Sequence, residues 1–272
     1  MNFVFSRKFF WLMKNLLTAL AFALLPISLV SGRDKAAQLP EMDIYLCIGQ
    51  SNMAGRGELT EEYADTLDNV WLLNSDGEME PASNPLNKYS SIRKDLRLQG
   101  VGPAWSFSAT VARETGNPVG LVVNARGGSS IDSWLKGSED GYYEKALERV
   151  RQALKYGTLK AVIWHQGETD VDDPQAYLPK LCKFVADLRE DLGQPELPFV
   201  LGELAQWLQY DTAEEFNEML RSAPGCISRC ACVSSEDLTP LKDKSDPHFD
   251  SPSQIVFGQR YAEAVLMLLQ WE

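Results

Sequence analysis

The sequence predicts an α/β protein built as a three-layer α/β/α sandwich. Short apolar runs alternate with amphipathic helical stretches from about residue 43 to the C-terminus, and that alternation implies a parallel sheet covered on both faces. Polar, glycine-containing turns follow several of the runs, as at a sheet edge built to bind a ligand. No internal repeat, low-complexity tract or linker interrupts the pattern. Together these observations give a flavodoxin-like parallel sheet of about five strands in one domain.

The first strand is the apolar run from Asp43 through Ile48, broken at Gly49. Residues 70–74 read as the second strand. Residues 75–100 are rich in Ser, Asn, Pro and Gly and read as a long surface loop beside the substrate site. Gly102-Pro103 opens a helix that runs to Glu114, with Gly116 behind it. Further strands are expected at 119–124, 159–164 and 199–204, and a last one at 227–233. Helices are expected at 141–156, 174–192, 212–220 and 251–270, the last with Ser251 as N-cap and Pro252 at the first helical position.

The chain has 272 residues and a net charge of −12, which argues against nucleic acid and against anionic membrane surfaces as partners. Residues 1–32 read as a signal peptide. Arg7, Lys8 and Lys14 precede an apolar stretch at 16–30, and Val30-Ser31-Gly32 places small residues at the cleavage positions. Residues 33–272 then form the folded domain, secreted or periplasmic, with no stable membrane association after cleavage. Of five cysteines, Cys47 lies in the first strand and reads as a small core residue, and Cys182 falls in a helix. Cys226, Cys230 and Cys232 cluster. Export would permit a disulfide among those three, with no pairing assigned, and their spacing does not suit a zinc site.

Four polar segments carry the chemistry: Gly49-Gln50-Ser51-Asn52, Arg126-Gly127-Gly128-Ser129, His165-Gln166-Gly167-Glu168-Thr169-Asp170 and Asp246-Pro247-His248-Phe249-Asp250. The first three follow strands of a parallel sheet and so converge on one edge, within reach of the fourth. A serine, a histidine, backbone amides and a side-chain amide in one place suit acyl transfer. The chain has only two histidines, so the base is either His165 or His248. Met53 follows Asn52 where the Gly-x-Ser-x-Gly elbow would require glycine.

The set resembles the SGNH (GDSL-like) hydrolases, in particular the sialate O-acetylesterase-like branch and carbohydrate esterase family 6. The matching segments are Gly49-Gln50-Ser51-Asn52-Met53-Ala54-Gly55, Ala125 to Ile131, Trp164-His165-Gln166-Gly167-Glu168-Thr169-Asp170 and His248-Phe249-Asp250. The resemblance implies Ser51 as nucleophile, His248 as base and the aspartate just before it, Asp246, as the group that orients the ring. It implies an oxyanion hole from the amide of Ser51, an amide at Gly127 or Gly128, and the side chain of Gln166. The branch often places the acid three residues before the histidine. Here Ser245 stands there, which leaves Asp246, Asp243 or a Ser-His dyad open. Gln50, Asn52, Trp134, His165 and Glu168 are expected to line the substrate, with Trp134 the best placed to stack on a sugar.

The expected function is an exported serine esterase, without cofactor or metal, that removes O-acetyl groups from a carbohydrate such as acetylxylan. The resemblance also names O-acetyl sialic acid as a substrate. A glycosidase using Glu168 and Asp170, and a sugar-binding module without turnover, are the readings of other classes.

Overall fold

The computed structural model describes residues 39–270. The proposed signal peptide lies outside the described residues. Among the described residues the sheet has seven strands in the order β3-β2-β4-β1-β5-β6-β7. In chain order they are β1 (Met42–Gly49), β2 (Val70–Leu73), β3 (Met79–Pro81), β4 (Val119–Ala125), β5 (Gly157–His165), β6 (Phe199–Gly202) and β7 (Cys230–Val233). Every neighbouring pair is parallel except β2 and β3.

The sheet is larger than the expected five or so strands, and the strand outside every expected one is β3, at one edge. β7 occupies the C-terminal half of the stretch expected at 227–233. β3 lies in the region read as an open loop, where Met79 is buried and Leu73 pairs with it. Three residues of mixed character give no periodicity to detect; β3 exists because the exposed edge of β2 supplies backbone partners.

Helices cover both faces. β1 shows why, since successive side chains of a strand point to opposite sides. Ile44, Leu46 and Ile48 join one core with α3 (Tyr142–Ala153), α4 (Pro174–Leu192) and α5 (Ala213–Ser222). Tyr45 and Cys47 join the other with α2 (Ala104–Thr115) and α6 (Ser251–Leu269). A one-turn helix, α1 (Ser51–Ala54), follows β1 directly. Asp250, not Ser251, caps α6, with its carboxylate accepting from the amide of Ser253 at 2.9 Å. Among the described residues no helix is long and apolar enough to cross a membrane.

β1 lies between β4 and β5, so the turns after all three strands meet. Gly49 makes that meeting possible. Its φ is +137°, and a Cβ built there would fall 2.1 Å from the carbonyl oxygen of His165. The Gly49 carbonyl accepts from Arg126 N at 2.9 Å, and Gln50 N donates to His165 O at 2.8 Å. One residue thus joins the ends of three strands. Gly49→Ala should combine backbone strain with a backbone clash, lowering stability by at least about 2 kcal/mol. Urea denaturation measures this, and a loss under about 0.5 kcal/mol, the size of an ordinary surface substitution, would show that the strand ends can part.

Candidate active site

Ser51 opens α1 immediately beyond β1, and His248 lies in the segment that leads into α6. His248 Nε2 is 3.0 Å from Ser51 Oγ, and His248 Nδ1 is 2.7 Å from Asp246 Oδ1. With the Nδ1 proton donated to the aspartate, Nε2 presents a lone pair to the serine hydroxyl. Ser51 is 7% exposed. The imidazole remains partly open to solvent, so a substrate can approach the pair.

The two-residue spacing works because one oxygen serves twice. Asp246 Oδ1 accepts from the backbone amide of His248 at 3.0 Å as well as from its ring. This is an Asx turn, in which a carboxylate holds the chain two residues ahead. Trp207 Nε1 fixes the Asp246 carbonyl at 2.8 Å. Asp243 is engaged elsewhere: its Oδ1 accepts from Ser245 N and Oγ, and those bonds hold its carboxyl below the usual range. Of the two aspartates, Asp246 is the one at the ring.

Two other segments supply backbone donors. A Cβ built on Gly127 would lie 3.5 Å from Ser51 Cβ, so the Gly127-Gly128 turn sits against Ser51. Among the described residues, the amides of Ser51, Gly127 and Gly128 make no hydrogen bond within the fold. They remain available to a developing oxyanion. Among the described residues, no group of His, Cys, Asp and Glu is arranged to hold a metal ion.

Gln166 is placed differently from the expectation. It is fully buried, and its Nε2 donates to Ser129 O at 2.8 Å, to Gln50 Oε1 at 3.1 Å and to Asp170. Its Oε1 accepts from Tyr177 Oη at 2.8 Å. An amide so engaged is a brace for the Gly127-Gly128-Ser129 turn, not an oxyanion donor.

The five side chains expected to line the substrate also point inward. Trp134 is fully buried, donates from Nε1 to Ser129 Oγ at 2.9 Å and packs edge-on against Trp164. His165 is fully buried between Tyr261 Oη and Glu168 Oε1, at 3.3 Å from each. Gln50 and Asn52 are buried, and the Glu168 side chain is 7% exposed. Gln50, Asn52 and Glu168 bind the converging turns to one another. Glu168 and Asp170 therefore show no pair of accessible carboxylates of the kind a glycosidase needs. Burial alone would raise the Glu168 carboxyl, but His165, its own amide and Asn52 outweigh it and hold it below its usual range.

Asn52 has the most direct influence on the catalytic pair. Its Nδ2 donates to Glu168 Oε1 at 2.6 Å and to Pro247 O at 3.1 Å, while its Oδ1 accepts from Phe249 N at 3.2 Å. It thus grips both residues flanking His248 while adjoining Ser51 in the chain.

Residues outside the motifs complete the surroundings. Asn87, in the region read as a surface loop, is fully buried and pairs with both N and O of Ala125, so it behaves as an extra strand neighbour for the end of β4. Arg56 Nη2 would lie 2.5 Å from a Cβ on Gly127, and Lys94 Nζ would lie 3.2 Å from one on Gly128. Neither cation is within ion-pair distance of a carboxylate among the described residues. Arg56 directly follows the first motif, and the net acidity of the chain makes a cation there notable; Asn87 and Lys94 carried no sequence signal.

The family described as "Carbohydrate esterase, sialic acid-specific acetylesterase" matches residues 41–267. The chain belongs to that family. This esterase is also 32% identical over 266 residues to a probable carbohydrate esterase of Arabidopsis thaliana, covering 88% of this chain and 97% of the relative. A solved Arabidopsis thaliana protein superimposes with a TM-score of 0.74 at 28% identity, covering 84% of this chain and 99% of that one. A carbohydrate acetylesterase from Xanthomonas citri shares the fold, with a TM-score of 0.61 at 19% identity over 85% of this chain and 57% of its own. By family, the enzyme is a carboxylic ester hydrolase.

Asn52→Ala should leave Glu168 Oε1, Pro247 O and Phe249 N without this partner and let His248 drift from Ser51. The expected result is kcat lower by about 10- to 100-fold with KM little changed, and stability lower by about 1–3 kcal/mol. Steady-state kinetics on an acetyl ester with parallel thermal unfolding measures both; an unchanged kcat would show that His248 is held by other means.

Proposed function

We propose that this esterase is exported and removes O-acetyl groups from carbohydrate through an acetyl-enzyme. The observation that carries the reading is the contact chain Asp246–His248–Ser51 set against the uncommitted amides of Ser51, Gly127 and Gly128. In the first half-reaction His248 Nε2 takes the hydroxyl proton as Ser51 Oγ attacks the acetyl carbonyl carbon. Negative charge develops on the carbonyl oxygen beside those amides, which were in place before the reaction and so stabilise the charge without reorganising. His248 then returns the proton to the departing sugar oxygen, leaving the acetyl group on Ser51. A water molecule, deprotonated by the same nitrogen, attacks the acetyl-enzyme; the bond to Ser51 Oγ breaks, His248 returns the proton to that oxygen, and acetate leaves. Asp246 holds the ring and stabilises the imidazolium that forms in each half. Export is supported by the leader-like composition of residues 1–32.

Ser51→Ala should reduce kcat by on the order of 10³-fold or more, with the melting temperature within a few degrees of the parent. Acetate release from acetylated xylan and from a chromogenic acetyl ester tests this. Turnover near that of the parent would end the serine mechanism, and binding without acetate release by the parent enzyme would favour a sugar-binding module.

One observation favours an anionic sugar. Arg56 and Lys94 flank the glycine turn with no carboxylate at ion-pair distance among the described residues, although Arg56 feels the charge of Glu168, in a chain of net charge −12. An acetylated sugar that carries a carboxylate, as a sialate does, would be drawn to that corner. Lys94 is the informative position, because Arg56 also donates to the carbonyls of Gly55 and Leu98. Lys94→Ala should raise KM for an acetylated acidic sugar by about 5-fold, an effect that shrinks with added salt. It should leave acetylated xylan unaffected. Equal effects on both substrates would remove charge from the recognition.

A further inference from the structure

Two cysteines far apart in sequence meet at the surface. Cys182, on α4, and Cys226, just past α5, lie 44 positions apart with their sulfurs 2.8 Å from each other. The other three thiols are placed differently: Cys47 is buried in β1, and Cys230 and Cys232 are half-buried on β7. The sequence assigns no pairing among Cys226, Cys230 and Cys232. The partner of Cys226 comes from the helix.

We infer that Cys182 and Cys226 close an intramolecular disulfide when the protein meets an oxidising disulfide such as oxidised glutathione. A disulfide bond is about 2.05 Å long, so the sulfurs need approach by only ~0.8 Å. Cys226 is exposed and Cys182 half-buried, at the wall of a groove of about 500 Å³ shared with Pro174, Leu178 and Met219. That arrangement assigns the order of events. The Cys226 thiolate attacks one sulfur of oxidised glutathione, forming a mixed disulfide and expelling one glutathione thiolate. The Cys182 thiolate then attacks the Cys226 sulfur and expels the second. Two electrons pass from the protein thiols to glutathione disulfide, and the two protein protons end on the two glutathione molecules. Burial, and then the neighbouring Cys226 sulfur, push the Cys182 thiol up to about 12.

The bond would matter because of what it ties together. Tyr177 of α4 packs against Phe216 of α5 with ring centroids 4.8 Å apart. The Tyr177 hydroxyl holds both oxygens of Gln166, which braces the turn beside the nucleophile. A covalent link between α4 and the end of α5 would fasten the helix pair beneath that brace.

The test uses the full chain, reduced and then exposed to oxidised glutathione. Alkylation under denaturing conditions should find five reactive thiols before oxidation and two fewer after it. Peptide mapping should recover a Cys182–Cys226 link. The melting temperature should rise by about 5–10 °C, from the usual effect of cross-linking a long loop. Cys226→Ser should lose the link and the shift while retaining activity on an acetyl ester. Cys230→Ser should retain the link and the shift. A link to Cys230 or Cys232, a stable glutathione adduct on Cys226, a covalent dimer, or five thiols still reactive after oxidation would each overturn the assignment.

Discussion

The carboxamide of Asn52 is the interaction on which the catalytic geometry depends. Ser51 comes from the end of the first strand and His248 from the approach to the last helix, 197 positions later. Nothing in the sheet alone would hold their side chains 3.0 Å apart. Asn52 does so because it neighbours the serine in the chain and grips the peptide groups on both sides of the histidine. Its nitrogen has a second acceptor in Glu168, which in turn lies against His165, and His165 against the hydroxyl of Tyr261. The polar line continues to the Trp164 carbonyl. Buried polar groups are costly without partners, so the hydrogen bonds of this line admit few other arrangements, although Glu168 Oε2 makes none.

The fold supplies the conditions for that line. A parallel sheet places β1, β4 and β5 side by side, and their C-terminal ends deliver three polar turns to one edge. Side chains at such an edge would ordinarily face a ligand. Here most of them, including Gln50, Asn52, Gln166 and Asp170, hydrogen-bond across from one turn to the next. The substrate meets what this bracing leaves exposed: one hydroxyl, one imidazole and backbone amides. At Gly127 and Gly128 no side chain shields the main chain beside Ser51.

Much of this was legible in the sequence. The strand–helix alternation, the convergence of the turns and the scarcity of histidine rest on periodicity and residue type, which local sequence records. The roles within the turns were less legible. Gln166 and Trp134 have the chemistry of an oxyanion donor and a sugar platform, and only their orientation shows them to be a brace and a core residue. Residue type fixes what a side chain can do, whereas rotamer and neighbours decide what it does. β3 and Asn87 were hidden for a related reason. Each exists by pairing with backbone supplied from elsewhere in the chain, so no local pattern marks it.

The acid before the histidine shows how a departure from a familiar spacing can keep the same chemistry. A carboxylate three residues ahead of a histidine reaches the ring across a turn. At two residues the chain is too short for that route, but it suits an Asx turn, in which the carboxylate already meets the amide two positions on. Asp246 uses that turn, and the same oxygen then lies 2.7 Å from the imidazole. Pro247 between them restricts the backbone of both its own position and Asp246, which favours the turn before folding is complete. The backbone hydrogen bond and the ring hydrogen bond thus depend on one local conformation. What decides whether the acid can orient the base is whether that conformation persists, and Trp207 secures it by donating to the Asp246 carbonyl.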